Sequence, residues 1–162
     1  MAQKPLVTDA VRAMVGQEII TTHYISKEDI KKLAIAVDDL NPLYLDETFA
    51  RKSWYGGIIA PPLQFFMLVN QLAPQSEISF DGKAPGYDPP MDYAYSVMGG
   101  ADIEFFNPIR AGDTITARAK IVDIVERQSS KGGWIAIVTR ETTFNNQKGE
   151  AVAIQKMTSI YR

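Results

Sequence analysis

Beyond residue 100 the chain has almost no freedom of architecture, because four β-rich runs follow one another with only short turns between them. Residues 101–108 read as one strand, Ala111-Gly112-Asp113 as a turn, and 114–127 as a long strand of alternating character. Residues 130–133 turn the chain back into 134–145, and Lys148-Gly149 turns it again into 151–161. Connections this short join antiparallel neighbours, since a parallel pair needs a long crossover. This end of the chain is therefore an antiparallel meander. What precedes it must supply the layer that covers its apolar face.

The preceding half alternates between helix signals and breaks. Residues 1–15 read as a peripheral lead-in with room for a short helix. Residues 16–24, G-Q-E-I-I-T-T-H-Y, are rich in β-branched side chains and predict a first strand. Ser26 predicts a helix start: its hydroxyl caps the first turn, Asp29 completes a capping box, and Glu28 and Asp29 favour the positive end of the helix dipole. Ile30, Leu33, Ala34 and Val37 recur at helical spacing and give one buried face. This helix should end near Asp38 or Asp39, because Asn41 precedes a proline and is biased away from helical geometry. A second short helix is predicted over 46–53, ended by Gly56-Gly57. Pro61-Pro62 then suit the first turn of a helix over 63–72 that is apolar nearly all round, and so buried. Residues 73–100 are dense in proline and glycine and carry Phe80, Tyr87, Tyr93 and Tyr95. They predict a long ordered loop, of the kind that is often functional.

Composition narrows the function classes. At 162 residues, 46% apolar and 22% charged, the chain fits one globular domain over 1–162. A net charge of −2 without a run of Lys or Arg argues against nucleic acid as a partner. Without cysteine there is no disulfide, thiolate nucleophile or Cys-based zinc site. A single histidine argues against a His-based metal cluster, so neither metal nor cofactor is expected. The longest apolar run, near 63–69, is too short to cross a bilayer, and residues 1–13 lack a signal-like apolar core. No membrane association and a cytoplasmic location are the default expectations.

Asp39-Leu40-Asn41-Pro42-Leu43-Tyr44-Leu45-Asp46 is the segment that carries chemistry. On a continuous helix, positions 39 and 44 would point about 140° apart. A reversal at Asn41-Pro42, with Asn41 in an Asx-type turn, would bring them together. The segment resembles the D-x-N-P-x-H-x-D signature of the MaoC-like (R)-specific enoyl-CoA hydratases, with Tyr44 where that family carries histidine. Residues 56–68 resemble the G-x-x-A-H-G-M-L run that leads into the family's central helix. Residues 106–113 resemble its F-x-x-P-x-x-x-G-D turn. Together the resemblance covers most of 16–161. It implies a hot-dog fold, an α+β arrangement in which an antiparallel sheet wraps around one buried helix.

The implied reaction is hydration of a 2-enoyl-CoA or the reverse dehydration of a 3-hydroxyacyl-CoA. In the family, an Asp and a His hold the water, and a backbone N–H at the start of the central helix steadies the thioester oxygen. Asp39 stands at the first of these positions. Tyrosine titrates at about 10 where histidine titrates at about 6.5, so Tyr44 is a hydrogen-bond donor and a poor base at neutral pH. Loss of a positioned base costs roughly 10²–10⁴ in rate. Pro62 falls where the family's glycine N–H would be, and proline has none. The sole histidine, His23, lies on the first predicted strand, outside the motif. Tyr in the His position, A-P-P after Gly-Gly and the long Pro/Gly/Tyr loop resemble the N-terminal FAS1-like dehydratase domains, which commonly pair with a catalytic hot-dog domain.

The expected site therefore has Asp39 and Tyr44 at the catalytic positions, with Asn41, Gly56, Gly57, Pro62, Tyr87, Tyr93 and Tyr95 contacting a CoA thioester. The expected role is a pocket-forming, non-catalytic subunit of a heteromeric (R)-specific enoyl-CoA hydratase/dehydratase. Its partner would be a second MaoC-like hot-dog subunit with Asp and His intact. Two alternatives stand beside it: a self-sufficient homodimeric hydratase using Asp39, and an acyl-CoA binding protein with no reaction.

Overall fold

The structure, a computed structural model, describes residues 4–65, 88–130 and 132–162. Five strands form one sheet: β1 (Glu18–Tyr24), β2 (Ser96–Phe105), β3 (Thr114–Gln128), β4 (Trp134–Asn145) and β5 (Ala151–Tyr161). Their order is β1-β3-β4-β5-β2, and every neighbouring pair is antiparallel. The short turns dictate the β3-β4-β5 meander, but β2 does not lie beside β3 as the short connection at 109–113 predicts. β1 occupies that edge of β3, with Ile25 bonded to Gly112 and Asp113, and β2 pairs with β5 at the far edge.

One face of the central strand β4 is buried along its length, from Ala136 and Val138 to Phe144. Two apolar clusters use that face. The larger gathers Ile25, Ile30, Tyr44, Ile59, Phe65 and Phe144, with the Phe65 and Phe144 rings 4.6 Å apart. The smaller gathers Val7, Val11, Ile121, Val138 and Tyr161.

The start of β2 corrects the sequence-based boundary. The strand begins at Ser96, inside the stretch expected to be loop, and ends at Phe105 instead of Pro108. The misleading signal is Gly99-Gly100, where the pairing with β5 shifts register between Met98 and Gly100. A Cβ on Gly99 would lie 3.2 Å from Ile160, so glycine there admits a bulge pressed against the neighbouring strand.

Four short helices lie on the described chain: α1 (Asp9–Arg12), α2 (Lys27–Ala36), α3 (Pro42–Leu45) and α4 (Glu47–Lys52). The expected capping box is present at α2: Ser26 Oγ accepts from Asp29 N at 3.1 Å, and Asp29 Oδ2 accepts from Ser26 N at 3.0 Å. α2 stops at Ala36, short of the expected Asp38 or Asp39. Asp39 N donates to Ala34 O (2.9 Å) and Asp38 N to Ile35 O (3.2 Å), a Schellman closure in which Asp38 takes a left-handed φ of 56°. The helix is thus ended by its own C-terminal bonds, upstream of the restriction that Pro42 imposes.

α3 was not expected. Asn41 Oδ1 accepts from Leu43 N (3.0 Å), and Pro42 supplies the first helical residue, whose N–H would be unpaired in any case. The expected helix over 63–72 is described only at its start, where Gln64 N donates to Pro61 O (2.9 Å). Residues 66–72, and 73–87 with Tyr87, lie outside the described residues.

The Gly112-Asp113 turn behaves as turn chemistry. Gly112 has a φ of 94°, Asp113 Oδ2 accepts from Arg110 N (2.7 Å), and Asp113 Oδ1 accepts from Gln147 Nε2 (3.0 Å). Gly112 and Asp113 also exchange main-chain bonds with Ile25, both at 2.8 Å, tying the turn to the start of α2.

Candidate active-site cleft

The Schellman stop and the Asn41 cap together do what a continuous helix could not: they fold Asp39 back toward Tyr44. Tyr44, the third residue of α3, is buried at 7% exposure, whereas Asp39 is exposed. Burial, and after it the nearby Asp39 carboxylate and Tyr55, push the Tyr44 phenol above its ordinary value. The phenol therefore keeps its proton across the neutral range. It can donate a hydrogen bond, but it cannot take a proton from water. Among the described residues its hydroxyl has no partner.

Tyr44 lines a cleft of about 610 Å³, a volume typical of small-molecule sites. The wall is largely apolar, with Leu43, Tyr55, Ile59, Phe105, Ile109 and Val152 on it. Its floor is the short pairing of Ile59 with Arg110, where Ala60 N donates to Ile109 O (2.8 Å). Pro61 and Pro62 also line the cleft, and neither has an N–H. With the Ala60 N–H already bonded, the first backbone donor available along this stretch is that of Leu63. At the rim Trp54 is 97% exposed, and Phe105 and Phe106 are about half exposed.

The remaining expected residues divide. Asn41 spends its side-chain oxygen on the α3 cap. Gly56 closes a turn with a φ of 68°, its N–H on Ser53 O at 3.0 Å, and Gly57 lines a neighbouring recess. Tyr93 and Tyr95 are not brought to the cleft. Tyr93 packs edge-on against Tyr161 at 4.9 Å and donates to Asp88 Oδ2 at 2.7 Å, because the chain entering β2 runs past the smaller cluster. Tyr95 pairs its main chain with Arg162 and lines a shallow recess with Lys4, Leu6 and Trp134. His23 sits half-buried on β1, its Nε2 3.3 Å from Thr21 Oγ1, and burial lowers its pKa.

Trp54, Phe105 and Gln64 are not among the expected site residues, and Phe106 is expected only as the start of the 106–113 turn. Adjacent strand residues point to opposite faces, so Phe105-Phe106 at a strand end could not both serve the core. That was a usable signal. Gln64 is 2% exposed, and among the described residues its buried Oε1 has no hydrogen-bond partner, a state worth about 1–3 kcal/mol of destabilisation. Nothing in the apolar pattern around it announced this.

Comparison with known proteins agrees with the geometry. The family model for the FAS1-like, dehydratase domain region matches residues 13–155. A UPF0336 protein of Streptomyces avermitilis is 31% identical over 117 residues, 70% of this chain and 72% of that protein. The mesaconyl-C(4)-CoA hydratase of Chloroflexus aurantiacus is 33% identical over 81 residues, 49% of this chain and 29% of that enzyme. Among solved structures, a MaoC-like dehydratase from Rhodospirillum rubrum superposes with a TM-score of 0.67 at 24% identity, over 91% of each chain. The HadBC (3R-hydroxyacyl-ACP dehydratase) complex from Mycobacterium tuberculosis gives 0.65 at 22% identity, over 89% of this chain and 96% of that one. The fold is the hot-dog fold. Because the family match spans the motif reversal and nearly all of the sheet, the chain belongs to the FAS1-like dehydratase domain region, within the MaoC-like hot-dog proteins.

Proposed function

We infer that this chain is the pocket-forming, non-catalytic half of a heteromeric (R)-specific 2-enoyl-CoA hydratase/3-hydroxyacyl-CoA dehydratase. The Tyr44 phenol carries the reading: it lies in the cleft wall, buried, protonated and, among the described residues, without a partner. Such a group donates a hydrogen bond to a bound carbonyl and does not activate water. Hydration needs a base for the water, an acid for the α-carbon and donors for the thioester oxygen. Here the helix start is two prolines, and the exposed Asp39 carboxylate is the sole remaining member of the expected pair.

What the cleft offers is volume and apolar wall for an acyl group. Its rim, with Trp54 almost wholly exposed, is the kind of apolar surface that a partner subunit covers. The mesaconyl-C(4)-CoA hydratase carries a segment similar to this chain within a longer protein, and HadBC is a dehydratase complex; both support a division of labour between hot-dog units. The substrate is then an acyl-CoA thioester. The partner is a second MaoC-like subunit with Asp and His intact.

Co-expression with such a subunit tests this. The complex should hydrate 2-enoyl-CoA esters, and Asp39→Asn in this chain should alter kcat far less than the roughly 10²–10⁴ that loss of a working base or acid costs. Loss of activity on that scale would place the chemistry in this chain and sink the reading.

A further inference from the structure

Next to the cleft lies a second recess of about 250 Å³, lined by Lys27, Glu47, Arg51, Gly57, Arg110 and Ala111, with Ile58. The same short pairing separates the two spaces. Ile59, Ala60 and Ile109 face the cleft, while Ile58, Arg110 and Ala111 face the recess. The recess is cationic in a chain whose net charge is −2: three basic side chains stand against one carboxylate, an excess of two positive charges.

The cations are held in place. Glu47 takes both Lys27 and Arg51, the latter at 3.6 Å. Lys27 holds the Glu47 carboxyl below its ordinary value, so it remains ionised and keeps both partners. Arg110 is fixed twice, its main chain by Asp113 Oδ2 at 2.7 Å and its guanidinium by the Tyr55 carbonyl. A guanidinium has five N–H donors, so this contact leaves most of them for a ligand. Gly57 and Ala111 keep the walls free of bulk.

We propose that this recess binds phosphate groups of a coenzyme A thioester whose acyl end lies in the adjoining cleft; the proposal rests on the thioester reading above. Two planar guanidinium forks and an ammonium suit the oxygen geometry and charge of a phosphate monoester or pyrophosphate. The excess of two positive charges matches such a group better than a single carboxylate.

Isothermal titration with three probes tests it: a 2-enoyl-CoA, the matching pantetheine thioester without the nucleotide phosphates, and adenosine 3′,5′-bisphosphate. The wild-type chain should bind the bisphosphate in a salt-sensitive way. It should also prefer the CoA ester to the pantetheine ester by about tenfold or more. Arg51→Gln and Lys27→Gln, both on exposed side chains, should weaken the CoA ester and the bisphosphate and leave the pantetheine ester unchanged. Glu47→Gln should tighten both phosphate ligands, an effect of opposite sign that damage to the fold would not produce. Equal affinity for the CoA and pantetheine esters in every variant, with no bisphosphate binding, would overturn the recess and leave the acyl cleft standing. Bisphosphate binding that follows the charge changes, with neither thioester bound, would keep the recess and overturn the acyl reading. Charge-dependent binding of a thioester on an acidic carrier protein, without such dependence for the CoA ester, would overturn the phosphate site in favour of protein docking.

Discussion

Among the described residues two tyrosine–aspartate arrangements stand out, and they have opposite character. In the smaller cluster, Tyr161 is fully buried and donates to Asp88 Oδ1, while Tyr93 donates to Oδ2 of the same carboxylate. Burial and the Asp88 carboxylate push the Tyr161 phenol far above its ordinary value. Every hydroxyl there has an acceptor, and the two rings pack edge to face. At the cleft, Tyr44 is nearly as buried, yet its hydroxyl has no partner among the described residues and Asp39 faces solvent. Residue type does not separate these sites. Satisfaction does: a buried phenol bonded to a half-buried carboxylate holds the fold together, and a phenol left unbonded in a cleft wall is available to a ligand.

The largest effect should come from rebuilding the cleft's chemistry. Tyr44→His with Pro62→Gly restores both a base and a backbone N–H. The double variant should gain hydration of 2-enoyl-CoA over Tyr44→His alone by roughly the 10²–10³ that one oxyanion donor is worth. Equal rates for the single and double variants would show that Pro62 is not where the donor was lost.

Next in size is stability. Tyr161→Phe removes a hydrogen bond to a charged acceptor and should cost about 1.5–3 kcal/mol in denaturant melts. Tyr44→Phe, which breaks no bond, should stay within about 0.5 kcal/mol. Similar costs for the two would erase the contrast between the sites.

A smaller effect concerns pH. The lowered pKa of His23 means that the unfolded chain takes up a proton first, so its contribution is present above about 6.5 and is lost as pH falls through the folded value. His23→Gln should flatten the pH dependence of stability below that point. A profile that Gln leaves unchanged would rule the histidine out as its source.

The smallest effect belongs to Asp38. With a φ of 56° it occupies a left-handed position that glycine enters without strain. Asp38→Gly should change stability by no more than about 1 kcal/mol and leave ligand binding intact. A large loss of binding would show that Asp38 holds Asp39 and Tyr44 in place through its side chain.

Much of this architecture was legible because local chemistry and tertiary packing agree. Ser26 and Asp29 announce the start of α2, the turns at 130–133 and Lys148-Gly149 announce the meander, and Asn41-Pro42 announces the reversal that joins Asp39 to Tyr44. Legibility failed where a glycine had two readings. Gly99-Gly100 looks like loop and is a bulge inside β2, a distinction that depends on Ile160 across the ladder. The aromatic character of Tyr93 and Tyr95 likewise left their surroundings open: Tyr93 packs against Tyr161, and Tyr95 is exposed beside Arg162. The recess cations were invisible for a related reason. Lys27, Arg51 and Arg110 are far apart in sequence, and tertiary contacts bring their elements together: the Lys27–Glu47 ion pair, the Ile25 bonds to Gly112 and Asp113, and the Ile59–Arg110 pairing.

The most direct test of the central claim is hydration of a panel of 2-enoyl-CoA esters by this chain purified alone, with saturable binding measured on the same samples. Binding without turnover is expected, because a protonated Tyr44 cannot serve as the base and Pro61 and Pro62 supply no N–H at the helix start. Robust turnover abolished by Asp39→Asn would contradict it and assign the reaction to this chain.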